Sequence, residues 1–323
     1  MSKVDILLAT YNGAQFLTEQ LDSILNQSFK DFRLIISDDN STDNTKKILD
    51  DYKKKDERII VYKQNKNLGI VKNFEFLLEK VEAELFMFSD QDDIWNEKKI
   101  EKSIDKLEKS GADLVYSDLE VVDKDLKTTY KSYWKLKGLY RKIKKYNNFD
   151  SLYLNNFMTG CTMMCKSSFI PKIIPMPNTS KFILHDYWVA LMVSQEGKIA
   201  YIKEPLIKYR QHKNNKIGSR KESDTYKTLD EITNLFIRVK IEHFTVFVEN
   251  ESRFTDLEKR RLANEALIYF ENLKQKYYWN FSKWGLFFEL YKYEDFGYKM
   301  KNFLILNLPF IVRPIIKAKN RNK

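Results

Sequence analysis

Leu85-Phe86-Met87-Phe88-Ser89-Asp90-Gln91-Asp92-Asp93-Ile94-Trp95 sets three carboxylates within four positions, directly after an apolar run. An acidic cluster at the end of a buried strand is costly without a cation, because like charges this close resist joint ionisation. Mg²⁺ and Mn²⁺ take hard oxygen ligands and usually combine one or two carboxylates with substrate phosphates and water. Asp90 and Asp92, two apart on a turn, suit a divalent ion that holds a diphosphate. The competing reading is an Asp-rich turn ahead of a helix starting near Asn96, since Asp and Asn favour such positions.

Upstream of this stretch the chain alternates between two periodicities. Short apolar runs at Val4 to Ala9, Phe32 to Ile36 and Ile59 to Tyr62 read as strands, with Leu85 to Phe88 as the fourth and Leu114 to Tyr116 as the fifth. Between them, Gln15 to Gln27 carries a helical stripe of Phe16, Leu17, Leu21, Ile24 and Leu25. Ser41 and Thr42 are positioned to cap a helix running through Tyr52, and Ile70 to Val81 reads as another helix. Alternation of this kind predicts an α/β fold with a mostly parallel sheet and helices on both faces. Ligands of such sheets bind beyond the carboxyl ends of the strands. Four polar loops follow strands: Thr10-Tyr11-Asn12-Gly13, Asp38-Asp39-Asn40, Asn65 to Gly69, and Asp90 to Asp93. They converge on one edge, where a nucleotide site is expected. Neither a Walker-type phosphate loop nor G-x-G-x-x-G is present, which argues against ATP-dependent kinases and hydride transfer.

The 323 residues suggest two units, or one large domain with an appendage. A net charge of +11 invites acidic partners such as phosphates, nucleic acid or an anionic membrane. The charge is concentrated: Lys124 to Lys145 holds nine basic residues against one acid, and Lys299 to Lys323 holds seven against none. No nucleic-acid motif accompanies these blocks, so nucleic acid is not an expected partner. Cys161 and Cys165 fall in an apolar run that reads as a strand; four residues there span roughly 13 Å, beyond the separation of about 7 Å that a disulfide tolerates. Reduced thiols and a cytoplasmic protein are expected, with no secretion leader. The longest apolar segment, Phe303 to Ile316, is 14 residues and is broken by Asn307, Pro309, Arg313 and Pro314, too short for the roughly 18 that a spanning helix needs.

Three groups of motifs together resemble the family 2 glycosyltransferases of the GT-A fold, in the bacterial rhamnosyltransferase-like branch. They are Ala9-Thr10-Tyr11-Asn12-Gly13 with Ser37 to Thr45; Asp90-Gln91-Asp92-Asp93; and Gly160-Cys161-Thr162 with His185-Asp186-Tyr187-Trp188 and Tyr209 to Gly218. The likeness covers residues 3 to 218. It implies a GT-A nucleotide-diphospho-sugar transferase fold in 1–218, with a nucleotide-sugar half to about 110 and an acceptor half beyond it. A helical region follows in 219–323.

The resemblance also implies roles. Thr10, Tyr11, Asn12, Asp39 and Asn67 would bind the nucleotide sugar, Asp39 by accepting from a pyrimidine N–H. Lys72 stands where many relatives carry an Arg near the nucleotide, although the interval after Gly69 is shorter here. Asp90 would sit near ribose and metal, Asp92 would ligate Mn²⁺ or Mg²⁺ directly, and His212 would join the metal or the diphosphate, with Arg210 as a phosphate partner. Asp186 matches the family's catalytic base, a role suited to an ionised carboxylate. Asp93, Trp95, Gly160, His185 and Trp188 would meet the acceptor, His185 alternatively orienting Asp186. The implied activity is inverting, metal-dependent transfer of a hexose, with L-rhamnose from dTDP-rhamnose the first choice, to a saccharide or lipid-linked acceptor in cell-surface polysaccharide synthesis. A sugar nucleotidyltransferase and a non-catalytic sugar-nucleotide-binding protein of the same fold are the alternatives.

Aromatic residues crowd Tyr277, Tyr278, Trp279, Phe281, Trp284, Phe287, Phe288, Tyr291, Tyr293, Phe296 and Tyr298, ahead of the basic end. An interfacial segment on an anionic membrane surface, at the inner face of the cell membrane, accounts for this pattern. A helical packing element or a homo-oligomer interface is the competing account.

Overall fold

The computed structural model describes residues 2–140, 143, 149–212, 229–275, 284–292 and 296–308. Part of the basic block (141, 142 and 144–148), the Lys213 to Gly218 end of the last motif, Tyr277 to Phe281, Tyr293 and the stretch from 309 onward lie outside the described residues, as does the side chain of Tyr298. The chain divides into two compact units, Met1–Asn178 with Leu184–Ser219, and Thr179–Ile183 with Arg220–Lys323.

The first unit is built on β1 (Val4–Thr10), β2 (Phe32–Asp38), β3 (Ile59–Lys63), β4 (Leu85–Ser89), β5 (Ile94–Trp95), β6 (Leu114–Val122), β7 (Thr128–Tyr130), β8 (Met163–Lys166) and β9 (Ile199–Arg210). Helices α1 (Leu17–Leu25), α2 (Thr45–Lys55), α3 (Ile70–Leu78) and α4 (Lys99–Ser110) alternate with the early strands, and α5 (His185–Ser194) precedes β9. Strands run in the order β3-β2-β1-β4-β8-β6-β9-β5, with β7 on β6. β1, β2 and β4 are buried almost throughout, as strands covered on both faces must be. Leu17, Leu21 and Ile24 of α1 and Ile100, Ile104 and Leu107 of α4 pack into one core with Ile6, Leu8, Leu34, Ile36 and Met87. Helix α4 stops at Gly111, whose φ of 61° supplies the left-handed cap.

The parallel sheet expected from the alternation holds from β3 to β4, and β6 pairs parallel with β9. Between these blocks β8 lies antiparallel to both β4 and β6, so the sheet is mixed. Leu114 to Tyr116 is therefore not the neighbour of β4. Cys161 lies in a 3₁₀ turn, Gly160–Thr162, and only Cys165 is in the strand; both thiols are free and buried. Helix α2 starts at Thr45, beyond the expected Ser41-Thr42 cap, and Asp43 instead accepts from the Thr45 N–H at 3.0 Å. Strand β5 pairs with β9, Ile94 opposite Lys208, so the acidic loop is held at both ends by strands.

In the second unit α6 (Leu229–Glu249), α7 (Leu257–Lys274), α8 (Trp284–Leu290) and α9 (Phe296–Asn307) form the helical region. Phe244 stacks on Phe270 at 5.8 Å, and Tyr269 donates to Asn307 Oδ1 at 2.8 Å. Asp256 caps α7 through the N–H groups of Glu258 and Lys259. A boundary at 218/219 takes no account of Thr179–Ile183, which belongs with these helices: Thr179 Oγ1 donates to Glu249 at 3.2 Å. No helix of the described residues is long and apolar enough to cross a membrane.

Candidate active site

The loops after β1, β2 and β4 are knitted together by their polar side chains. Thr10 Oγ1 donates to Gln91 Oε1 at 2.6 Å, and the Tyr11 N–H reaches the same oxygen at 2.8 Å. Asn12, in the left-handed region at φ 50°, donates its N–H to Ser41 Oγ and accepts from the Thr42 N–H, both at 2.8 Å. A Cβ on Gly13 would collide with Gln91 Oε1 and lie 2.7 Å from Thr10 Oγ1, so only glycine permits this approach. Asp39 accepts the N–H groups of Leu68 at 2.6 Å and Gly69 at 3.0 Å, while Asn67 Nδ2 donates to the Asp39 carbonyl at 3.2 Å. Each Asp39 oxygen keeps a second lone pair for a ligand. Lys72 pairs instead with Glu75 at 2.7 Å and the Met176 carbonyl at 3.2 Å, which ties α3 to the loop before α5.

On the acidic loop, Asp92 Oδ2 lies 2.7 Å from His212 Nε2. The two residues are 120 positions apart, and β9 carries its end back to the loop. Burial, then the charges of Asp92 and Asp186, pushes the Asp90 carboxyl up to about 7. Asp93 is fully buried; one oxygen accepts the Arg210 N–H at 3.2 Å, and burial with Asp92 and Asp90 nearby raises its carboxyl well above the ordinary range. Ligand atoms of Asp90, Asp93 and Cys161 lie within 4.8 Å of one another. Beneath them is Lys99, fully buried, which donates to the Cys161 carbonyl at 2.7 Å and sits 3.1 Å from the centre of the Trp95 ring. Burial pulls its ammonium down to about 7. The clustered carboxylates offer the hard oxygen donors that Mn²⁺ or Mg²⁺ take, whereas the Cys161 thiol among them is a soft donor that does not suit those ions.

Asp186 stands in the first turn of α5. Its Oδ1 accepts the Tyr187 N–H at 2.7 Å and its Oδ2 accepts the Gly160 N–H at 3.1 Å. Burial pushes this carboxyl up to about 6, against the pull of those two donors. Gly160, which donates to it, shares a 3₁₀ turn with Cys161, whose ligand atom lies within 4.8 Å of those of Asp90 and Asp93, and this sets Asp186 near the acidic loop.

Several expected contacts take other forms. Arg210 is not placed for phosphate: its guanidinium is buried, donates to the Asp92 carbonyl at 2.9 Å and the Lys124 carbonyl at 2.7 Å, pairs with Glu19, and lies over Phe16. It braces the acidic loop from behind. Asp93, Trp95, Gly160, His185 and Trp188, expected at the acceptor, are all buried. Trp188 Nε1 donates to the Ile173 carbonyl at 2.8 Å, and the His185 ring stacks on Phe74 at 3.9 Å with no hydrogen-bond partner for either nitrogen. Gln91, Glu19, Glu75 and Lys99 carry contacts that the sequence reading gave no role. Only Gln91 had a signal, its place between Asp90 and Asp92.

A family model described as glycosyl transferase family 2 matches residues 5–173, more than half of the chain. The chain belongs to glycosyl transferase family 2. A relative named dTDP-rhamnosyl transferase RfbG, from Shigella flexneri, is 33% identical over 246 residues, 72% of this chain and 82% of the relative. The putative teichuronic acid biosynthesis glycosyltransferase TuaG of Bacillus subtilis is 28% identical over 226 residues, 70% of this chain and 85% of the relative. The mannosyltransferase PcManGT from Pyrobaculum calidifontis, solved with GDP-Man and Mn²⁺, superposes with a TM-score of 0.58 at 12% identity, over 100% of this chain and 81% of that one. S. aureus TarS 1-349 with UDP-GlcNAc gives 0.57 at 16% identity, over 95% and 91%. These likenesses show the GT-A fold. This glycosyltransferase's match to the family model ends before Asp186, Arg210 and His212, so the model assigns them no role.

Proposed function

We propose that this glycosyltransferase moves a hexose from a nucleoside-diphosphate donor to a saccharide or lipid-linked acceptor of a bacterial cell-surface polysaccharide, with inversion at the anomeric carbon. L-Rhamnose from dTDP-rhamnose is the first choice of donor, supported by the name of the 33% identical relative. The observation that carries the reading is the meeting of Asp92 with His212 at 2.7 Å, on the loop that also holds Asp90.

In this reading Thr10, Tyr11, Asn12, Asp39 and Asn67 hold the nucleoside, the remaining Asp39 lone pairs accepting from a base N–H. Asp90, Asp92 and His212 would hold Mn²⁺ or Mg²⁺; when bound, such an ion supplies positive charge against the departing diphosphate. Asp186 takes the proton from the acceptor hydroxyl as its oxygen bonds the anomeric carbon. The bond to the diphosphate breaks on the opposite face, through a transition state with oxocarbenium character. Burial around Asp186 makes its carboxylate a stronger base than an exposed one. The basic, aromatic C-terminal sequence supports attachment to an anionic membrane surface, where a lipid-linked acceptor would lie.

A thermal-shift screen with Mn²⁺ tests the donor, using dTDP-rhamnose, UDP-glucose, UDP-galactose, UDP-N-acetylglucosamine and GDP-mannose. dTDP-rhamnose is expected to give the largest rise in Tm. A larger rise with another donor overturns the choice of sugar, and no rise with any overturns the donor reading.

A further inference from the structure

Gly160 and His185 are buried against one another, and Gly160 touches the carboxylate to which the transfer chemistry has been given. The Gly160 N–H donates to Asp186 Oδ2 at 3.1 Å. A Cβ at Gly160 would stand 2.7 Å from His185 Nε2 and 3.1 Å from Asp186 Cβ, the first closer than packed carbon and nitrogen atoms approach. His185 is not free to yield. Its ring is stacked on Phe74 at 3.9 Å with 23° between the planes, and meets the edge of Phe88 at 4.9 Å. Phe88 belongs to β4, the strand that runs directly into Asp90. Neither ring nitrogen of His185 has a hydrogen-bond partner, so the side chain acts through its shape.

We propose that Gly160 and His185 are positioning residues for the transfer reaction, a seat that fixes Asp186 relative to the strand delivering the acidic loop. The glycine brings a backbone donor to one oxygen of the base with nothing between them. The histidine wedge sets the start of α5 against β4, so that base and donor side share one rigid reference. The inference rests on the reading of Asp186 as the base. A displacement of about 1 Å in such a group lowers turnover by about 10²-fold, whereas donor binding, made by other loops, is untouched.

The test uses the full chain and separates kcat from donor binding. In Gly160→Ala, kcat is expected to fall by about 10²-fold, with calorimetric affinity for donor nucleotide and Mn²⁺ within about twofold of native. Shortening the wedge in Gly160→Ala/His185→Ala makes room for the added methyl and is expected to regain at least about tenfold in kcat over the single variant. His185→Leu, which keeps an apolar side chain but loses the planar stack, supplies an independent reading if Gly160→Ala does not fold; its kcat is expected to fall by about tenfold with donor affinity kept. Native kcat in Gly160→Ala or His185→Leu, a parallel loss of donor affinity, or no regain in the double variant overturns the seat. Asp186→Asn, assayed alongside, tells the two failures apart: transfer retained there means that the base reading is wrong, and transfer lost there with Gly160→Ala unaffected means that only the seat is wrong.

Discussion

Around Thr10, Asn12 and Asp39 the loops hold one another through hydrogen bonds, Gln91 serving Thr10 and Tyr11, Ser41 serving Asn12, and Asp39 serving Leu68 and Gly69. Around Asp186 two backbone donors are backed by rings and a glycine, with Phe74 and Phe88 against His185. The first region is a mesh of many modest bonds, each contributing about 1 kcal/mol net, so single losses there should be graded. The second is a close-packed seat in which volume decides, and packed interiors respond to a single methyl group. The donor side should therefore fail by weakened binding and the base side by lost turnover.

The largest effect expected is at Asp186, the proposed base. Asp186→Asn keeps the shape, but its single amide oxygen can accept only one of the two backbone N–H groups that the carboxylate holds, and an amide cannot take the acceptor's proton. Transfer should drop by about 10² to 10⁴-fold, with donor affinity unchanged. A variant keeping more than about a tenth of the native rate would sink the contrast between the two regions, because the base side would then have no chemical role to protect.

That contrast also explains how far the sequence could be read. Loops that follow parallel strands in an alternating chain converge on one edge, so the gathering of the loops that carry Thr10, Asn12, Asp39 and Asp92 was legible from order, whereas the roles expected of these residues came from the resemblance. The resemblance gave Asp92 to the metal and His212 to the metal or the diphosphate, and their meeting at 2.7 Å was announced by no spacing. Asp93, Trp95, His185 and Trp188 carry chemically versatile side chains within motifs, which made them look like acceptor contacts. Their burial depends on packing partners such as Lys99 and Phe74 that no local pattern announces. Arg210 is the same case, since its partners Glu19 and Lys124 lie 191 and 86 positions away. The antiparallel β8 was hidden because a run of buried apolar residues has no direction.

Asp92→Ala is the next largest change, and it strikes the donor side at the carboxylate that meets His212. Even groups behind metal ligands alter affinity by about 10 to 100-fold, so loss of the direct partner of His212 should lower Mn²⁺ affinity by about 10²-fold, and donor affinity should no longer rise with metal. Native Asp90, pushed up to about 7 by burial and by Asp92 and Asp186, must shed its proton for an ion to bind. Affinity for Mn²⁺ should therefore increase with pH up to about 7 and level off above it. Calorimetry in buffers of differing ionisation heat measures both, and an Asp92→Ala protein whose nucleotide affinity still climbs with Mn²⁺ as in the native chain contradicts the assignment.

The pH dependence of transfer sharpens the comparison from the other region. Burial raises the Asp186 carboxyl to about 6 in the folded chain, from an ordinary value of 3.8, so the folded state holds a proton that the unfolded chain has released between those values. Stability contributed by this group accordingly falls as pH rises through that window. Activity runs the opposite way, because only the carboxylate accepts a proton. With saturating donor and acceptor, kcat should be flat above about pH 6 and fall about tenfold per unit below it. An inflection near 4 would mean that the seat does not desolvate Asp186 in the working enzyme.

The smallest effect is expected at Gln91, where the mesh should show its redundancy. Its Oε1 accepts both the Thr10 hydroxyl and the Tyr11 N–H, and its Nε2 donates to the Tyr11 carbonyl at 3.3 Å. In Gln91→Ala these bonds disappear, but Tyr11 is half exposed, so water reaches its backbone groups and replaces much of what is lost. Asn12 remains held by Ser41 and Thr42, and Asp39 by Leu68 and Gly69, so the rest of the edge keeps its form. A net loss of about 1 kcal/mol corresponds to a donor Kd raised by about fivefold, with kcat at saturating donor unchanged because Asp186 and its seat are untouched. Titration of donor nucleotide into the variant, followed by a saturated rate, reads both numbers. A fall in kcat without a change in Kd would show that Gln91, lying between Asp90 and Asp92, serves the reacting centre and not the nucleoside, and would erase the division between a binding edge and a turnover seat at the residue where the two regions meet.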